Sequence, residues 1–124
     1  MKKAIIAAAL EARAHAYAPY SHYCVGAAVL TEIGIFPGCN VENASYGLSN
    51  CAERTAVFSA VCAGAKRVLA VAIATDNGGS PCGACRQVLV EFAQDTCPLY
   101  LLDANGTVVQ ETTLGLLLPN AFRL

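Results

Sequence analysis

The sequence predicts an α/β fold, a three-layer α/β/α sandwich around a central, mixed, five-stranded sheet. Three observations predict it. Helical and strand-like stretches follow one another as helix, two strands, helix, strand, helix, two strands. Residues 68–74 are a near-continuous apolar run, as in a strand covered on both faces. The short turns Glu32-Ile33-Gly34 and Asn105-Gly106 join the first and last strand pairs as hairpins. A chain of 124 residues fits one domain, residues 1–124, with a core large enough to fold without disulfides or metal.

Residues 2–17 read as an amphipathic helix with Ile6, Leu10, Ala14 and Tyr17 on one side, ending before Pro19. The same stretch imitates an export signal, but Glu11 and Arg13 interrupt its apolar run, so a helix of a cytoplasmic protein is expected. Residues 24–31 and 34–41 read as strands. Pro37 has no N–H to give a ladder, which puts the second strand at an edge or a bulge. Residues 43–50 are polar and loop-like. Asn50 is placed to cap a helix over residues 51–63, stopped by Gly64. Residues 76–81 are loop-forming, and a helix follows over 83–94. Residues 99–102 form a buried strand, residues 107–110 return antiparallel, and a short helix covers 114–118.

Helices must cover both faces of such a sheet. Right-handed crossovers make the middle strands parallel, so the helices opening near residues 51 and 83 start at one sheet edge. Open α/β sheets bind their ligands at that edge, beyond the carboxyl ends of the strands.

Hydrophobic residues make up 56% of the chain and charged ones 14%, against about 25% charged in an ordinary soluble domain. That leaves too little polar surface for a lone small globule and points to a homo-oligomer. Net charge is −1, and no basic run follows Lys2-Lys3, which argues against a grip on polymeric nucleic acid. Nothing approaches the roughly 20 apolar residues of a membrane span. Seven cysteines are an odd number, unlike a secreted disulfide framework. Cys24, Cys39, Cys62 and Cys97 lie in apolar runs and read as small core residues. Neither histidine, His15 nor His22, sits in a nucleophile motif.

The chemistry concentrates in Cys51-Ala52-Glu53 and Pro81-Cys82-Gly83-Ala84-Cys85. Each segment opens a helix at the same sheet edge, so three thiols converge across thirty residues of sequence. A helix N-terminus lowers a thiol pKa, and thiolates suit tetrahedral Zn²⁺, one per chain. Three protein ligands leave the fourth position to water, as in a catalytic site. Glu53 then lies near the metal but off it, where a carboxylate can move protons. A redox reading of Cys82-x-x-Cys85 leaves Cys51-Ala52-Glu53 without a role. A closed structural zinc site needs a fourth ligand from Cys24, Cys39 or His22, and makes Glu53 idle.

Five motifs in order extend this pattern: Pro19-Tyr20-Ser21 with Val25-Gly26-Ala27; residues 38–47, Gly-Cys-Asn-Val-Glu-Asn-Ala-Ser-Tyr-Gly; residues 51–56, Cys-Ala-Glu-Arg-Thr-Ala; residues 81–87, Pro-Cys-Gly-Ala-Cys-Arg-Gln; and Leu117-Leu118-Pro119 with Phe122. Over nearly its whole length the chain resembles the small, homotetrameric, zinc-dependent cytidine deaminases. The resemblance implies hydrolysis of cytidine or deoxycytidine to uridine or deoxyuridine and ammonia, a pyrimidine-salvage reaction. It implies that Glu53 carries protons, first to N3 and then to the leaving amine. Asn40 and Glu42 would bond the sugar hydroxyls, so that a bare base leaves them unpaired. Tyr23 stands where the family usually has a Phe packed near the base, and its hydroxyl needs a partner. Backbone at Ala52, with Glu53, would read the pyrimidine edge. Tyr46 and Phe122 would reach into a neighbouring subunit's site. Arg54 is expected to donate to a cysteine sulfur and draw charge from the three thiolates. Arg86 is open to the same role or to a surface one.

Overall fold

In the computed structural model, which describes residues 1–124, five strands form one mixed sheet. They are β1 (Gly26–Thr31), β2 (Gly34–Cys39), β3 (Val68–Ala74), β4 (Pro98–Leu102) and β5 (Val108–Thr113), in the order β2-β1-β3-β4-β5. β1 is antiparallel to both β2 and β3, β3 is parallel to β4, and β5 returns antiparallel to β4. Only one of the expected parallel contacts therefore forms, because β1 lies between β2 and β3. β2, β3 and β4 still point the same way. The helices that follow β2 and β3, α2 (Ala52–Cys62) and α3 (Gly83–Phe92), accordingly begin at one edge of the sheet. Pro37 sits on the edge strand β2, where its missing N–H costs no ladder bond.

Strand periodicity divides the core between the two faces. Ala27, Val29, Val71, Ile73, Leu99 and Leu101 pack beneath α2 and α3. Ala28, Ala70, Ala72, Ala74 and Leu102 turn the other way, toward Ile5 and Ala9 of α1 (Lys2–Arg13). The second face is mostly alanine, and small side chains let α1 lie close. Gly26 takes this furthest: a Cβ there would stand 2.1 Å from the Ala9 carbonyl oxygen.

α1 differs from the expected helix in both length and face. It ends at Arg13 instead of residue 17, and it buries Ile5, Ala9 and Ala12, with Ile6 and Leu10 only half-buried. Beyond it the backbone turns to pair with the loop after β2. Tyr17 N donates to Asn40 O at 2.9 Å, and Glu42 N donates to Tyr17 O at 2.8 Å. Those long-range bonds outcompete another helical turn. Arg13 fixes the turning point, its Nε donating to Cys24 O at 3.1 Å and its guanidinium pairing with Asp76.

Other boundaries shift by smaller amounts. Asn50 does not cap α2; its amide donates to Thr55 Oγ1 at 3.1 Å, and Cys51 occupies the N-cap position. α3 stops at Phe92 and leaves Ala93 extended. β5 runs on to Thr113 and leads directly into α4 (Leu114–Leu117). No helix is long and apolar enough to cross a membrane.

Gly38 decides how α2 meets the sheet. A Cβ at this position would lie 2.4 Å from Ala56 N and 2.5 Å from Ala52 O, so the helix rests on bare backbone of β2. Gly38→Ala is expected to destabilise the protein by about 1–3 kcal/mol or more, since helix backbone has to move. Gly47→Ala, with nothing within 4 Å of its Cβ, leaves the denaturation midpoint nearly unchanged. Equal urea midpoints for the two variants would contradict this close approach.

Candidate active site

Where α2 and α3 begin, three sulfurs meet. Cys51 is the N-cap of α2 and Cys82 the N-cap of α3, both on extended backbone; Cys85 lies in the first turn of α3. Neither helix has a side-chain cap bond, so both thiols are free of that duty. Cys51 Sγ and Cys82 Sγ are 3.9 Å apart, Cys82 Sγ and Cys85 Sγ 3.4 Å, and all three lie within 4.8 Å of one another. Zn–S bonds of about 2.3 Å in a tetrahedron separate sulfurs by about 3.8 Å. The observed spacing therefore fits a zinc ion with little adjustment. No fourth His, Cys, Asp or Glu joins the group, and Cys24, Cys39 and His22 stand outside it.

The electrostatics of the cluster follow from its hydrogen bonds. Cys85 donates toward Cys51, and with help from the Arg54 guanidinium this brings the Cys51 thiol down to about 5. Cys85, the donor in that bond and itself buried, is pushed far up. Arg54 Nη2 lies 3.2 Å from Cys51 Sγ, while its Nε is a buried donor with no acceptor within the chain. Glu53 is only 4% exposed, and burial raises its carboxyl pKa, helped by the negative charge on Cys51. Such a carboxyl can hold a proton closer to neutrality than an exposed one.

Above the cluster opens a cavity of about 350 Å³, within the range of small-molecule sites. Cys51, Ala52, Glu53 and Cys82 form one part of its lining, and Tyr23, Asn40, Glu42 and Tyr46 another. Asn40 is pinned by backbone, its Oδ1 accepting from Val25 N at 2.9 Å and its Nδ2 donating to Tyr23 O at 2.8 Å. One N–H and one lone pair remain for a ligand. Glu42 accepts from Tyr20 N at 3.0 Å, Ser21 N at 3.1 Å and the Ser21 hydroxyl. The Ser21 hydroxyl bond does most to hold its carboxyl below the ordinary range, so it faces the cavity as an anion. The Tyr23 hydroxyl has the partner it needs, donating to Asn77 Oδ1 at 2.9 Å.

Two candidate residues lie elsewhere. Phe122 is 71% exposed and does not line the cavity of its own chain. Arg86 touches no sulfur and is no free surface residue; it is half-buried and hydrogen-bonded to Ser80, Pro81 and Leu117. Sequence reasoning passed over Thr75, Gly79 and Ser80, which also line the cavity. Thr75 Oγ1 accepts from Gly79 N at 2.9 Å and donates to Asn77 Oδ1 at 3.3 Å, bending the loop inward. A Gly-Gly-Ser-Pro string announces only a loop, and nothing in it tells which way the loop folds.

The sulfur arrangement sets an order of reactivity. In reduced, zinc-free protein at neutral pH, a limiting dose of iodoacetamide modifies Cys51 ahead of the exposed Cys62, because the thiolate is the nucleophile. Since the pKa is lowered, the Cys51 rate holds down to a pH of about 5 and drops below it, while its lead is lost only in alkaline solution, where thiols of ordinary pKa ionise as well. Peptide mapping that finds Cys62 modified first contradicts the arrangement.

Comparison with known proteins places the fold and the family. Residues 1–101 match the family model described as the cytidine and deoxycytidylate deaminase zinc-binding region. The chain is 50% identical over 121 residues to a cytidine deaminase of Sporosarcina psychrophila, covering 95% of this chain and 88% of that one. It is 47% identical over 124 residues to one from Halalkalibacterium halodurans, covering 98% and 93%. Among solved structures, a cytidine deaminase from Burkholderia pseudomallei superposes with a TM-score of 0.90 at 51% identity, over 98% of this chain and 99% of that one. On these grounds the chain belongs to the cytidine and deoxycytidylate deaminase family.

Proposed function

We propose that the chain hydrolyses cytidine and deoxycytidine to uridine and deoxyuridine, releasing ammonia. The observation that carries the reading is the convergence of three sulfurs beside a buried carboxyl at the base of a small-molecule cavity. Cys51, Cys82 and Cys85 would hold Zn²⁺, whose Lewis acidity makes water a nucleophile at neutral pH.

The chain's own groups do the rest. Asn40 and Glu42 take the sugar hydroxyls, and a bare base would leave both without those partners. Tyr23 offers an aromatic face to the base, its hydroxyl being already spent on Asn77. Backbone at Ala52 reads the pyrimidine edge and presents C4 to the attacking water. Glu53 takes a proton from that water and delivers it to N3. It then carries a second proton to the 4-amino nitrogen, which departs as ammonia while the water's oxygen stays on C4. Its raised pKa suits both transfers. Arg54 withdraws charge from Cys51 and so keeps the anionic sulfur set from suppressing the acidity of water.

We also infer a homotetramer with sites completed by neighbouring subunits. Arg54, Phe58 and Val61 share one stripe of α2, where two exposed apolar side chains follow a buried Nε with no acceptor of its own. Tyr46, Leu48, Leu116 and Phe122 are exposed large apolar residues as well. A second chain covering them accounts for the low charge content, and Tyr46 and Phe122 are the residues that reach across.

Loss of cytidine absorbance on mixing with the zinc-loaded protein tests the activity directly, with cytosine as the substrate expected to be refused. Glu53→Gln is expected to keep zinc content and melting temperature while turnover falls about 10²–10⁴-fold. Unchanged turnover in that variant removes Glu53 from the proton path. Sedimentation should give a mass about four times the 12.9 kDa chain. A monomer at working concentration overturns the shared-site reading.

A further inference from the structure

Two residues of the Pro81–Gln87 motif, Arg86 and Gln87, take no part in the chemistry above, yet both reach from α3 to the C-terminal segment. Arg86 uses its whole guanidinium: Nε donates to Pro81 O at 2.8 Å, Nη2 to Ser80 Oγ at 2.8 Å and Nη1 to Leu117 O at 2.6 Å. Gln87 Nε2 donates to Phe122 O at 3.0 Å. We infer that Arg86 is a positioning residue for the metal loop, holding Cys82 at the sulfur cluster and tying the C-terminal segment into the same frame. The inference rests on the metal-site reading given above.

Cys82 is the most exposed of the three thiols and hangs at the end of an irregular loop, whereas Cys85 is fixed inside α3. The first part of that loop has its own ties, from Thr75 to Gly79 and from Tyr23 to Asn77. Ser80 and Pro81, the last residues before Cys82, are in side-chain hydrogen-bond contact with Arg86 alone. The Pro81 carbonyl belongs to the peptide plane that also carries the Cys82 nitrogen. Fixing that oxygen therefore fixes the plane from which the Cys82 side chain departs. A planar fork sends its N–H groups from three separate nitrogens toward three spaced acceptors, whereas the three donors of a lysine ammonium share one nitrogen at the end of a flexible stem. The third acceptor, Leu117 O, makes α4 the anchor against which the loop is held.

Arg123 provides an internal comparison, because it grips the opposite end of α3. It donates to Val90 O at 2.7 Å, Ala93 O at 3.2 Å and Asp95 Oδ1 at 3.1 Å, far from the sulfurs in the chain order of the helix. A general stabilising role for Arg86 predicts like behaviour for the two arginines. A positioning role predicts that they part.

The test measures zinc release from zinc-loaded protein to an excess of a chromophoric chelator, with melting temperature recorded beside it, for wild type, Arg86→Ala, Arg86→Lys and Arg123→Ala. Arg86→Ala and Arg86→Lys are expected to release zinc about tenfold faster or more. Arg123→Ala is expected to release it at the wild-type rate although its melting temperature drops. Release from both Arg86 variants at the wild-type rate overturns the inference, and so does equal acceleration in Arg123→Ala. Should Arg86→Ala not fold, the lysine variant decides by the same two rates. Wild-type protein that binds no zinc overturns the metal-site reading itself, a failure distinct from zinc-loaded protein indifferent to Arg86.

Discussion

Everything at the site depends on two helix N-termini meeting with sulfur where an oxygen cap would ordinarily sit. An N-cap Ser, Thr, Asp or Asn satisfies a free N–H of the first turn and contributes about 1 kcal/mol. Cys51 and Cys82 hold the N-cap positions of α2 and α3 and make no such bond. Both helices thus forgo local stabilisation, and their positive ends and unsatisfied donors face the sulfurs instead. At Cys51 the hydrogen bonds from Cys85 and Arg54 favour thiolate over thiol, and thiolate is the form that binds zinc. Only a sheet whose β2 and β3 run the same way brings the two ends together, even though β1 lies between those strands.

Close packing converts this topology into distances. α2 reaches the cluster because Gly38 leaves no Cβ between β2 and the backbone of Ala52 and Ala56. Small residues continue down the helix at Ala56 and Ala60, all buried against the sheet. A larger side chain at any of them would lift the first turn and carry Cys51 and Glu53 with it. The burial that raises the Glu53 pKa belongs to the same first turn of α2, which also lines the cavity. Packing and acid–base chemistry are here one constraint.

The fold and the convergence of three sulfurs were largely legible in the sequence, for reasons particular residues make plain. Residues 68–74 announce a doubly covered strand by composition, and β3 has those bounds. Cys51, Cys82 and Cys85 sit at chain positions whose secondary structure follows from nearby loop and helix signals, so strand order alone made them converge. What escaped was decided by tertiary contact. The buried stripe of α1 is set by Gly26 beneath Ala9, a close approach that periodicity cannot report. Asn50 reads as a cap, but its amide finds Thr55 once the sulfur takes the cap position. The partner of the Tyr23 hydroxyl, Asn77, lies 54 residues on, in a loop whose composition gives no direction.

Charge balance explains why an arginine accompanies the sulfurs. With Zn²⁺ bound as proposed, three thiolates would leave a single negative charge in a half-buried place, where uncompensated charge is costly. The Arg54 guanidinium, 3.2 Å from Cys51 Sγ, brings the set to neutrality. Neutrality would matter to Glu53, whose carboxyl, in the proposed reaction, gains and loses protons in turn. Beside a net anion it would hold its proton too firmly to serve as a base, and beside a net cation it would surrender the proton too readily to act as an acid. Because Arg54 lies one residue beyond Glu53 on α2, the helical turn that carries the proposed proton shuttle would also carry the charge that tunes it.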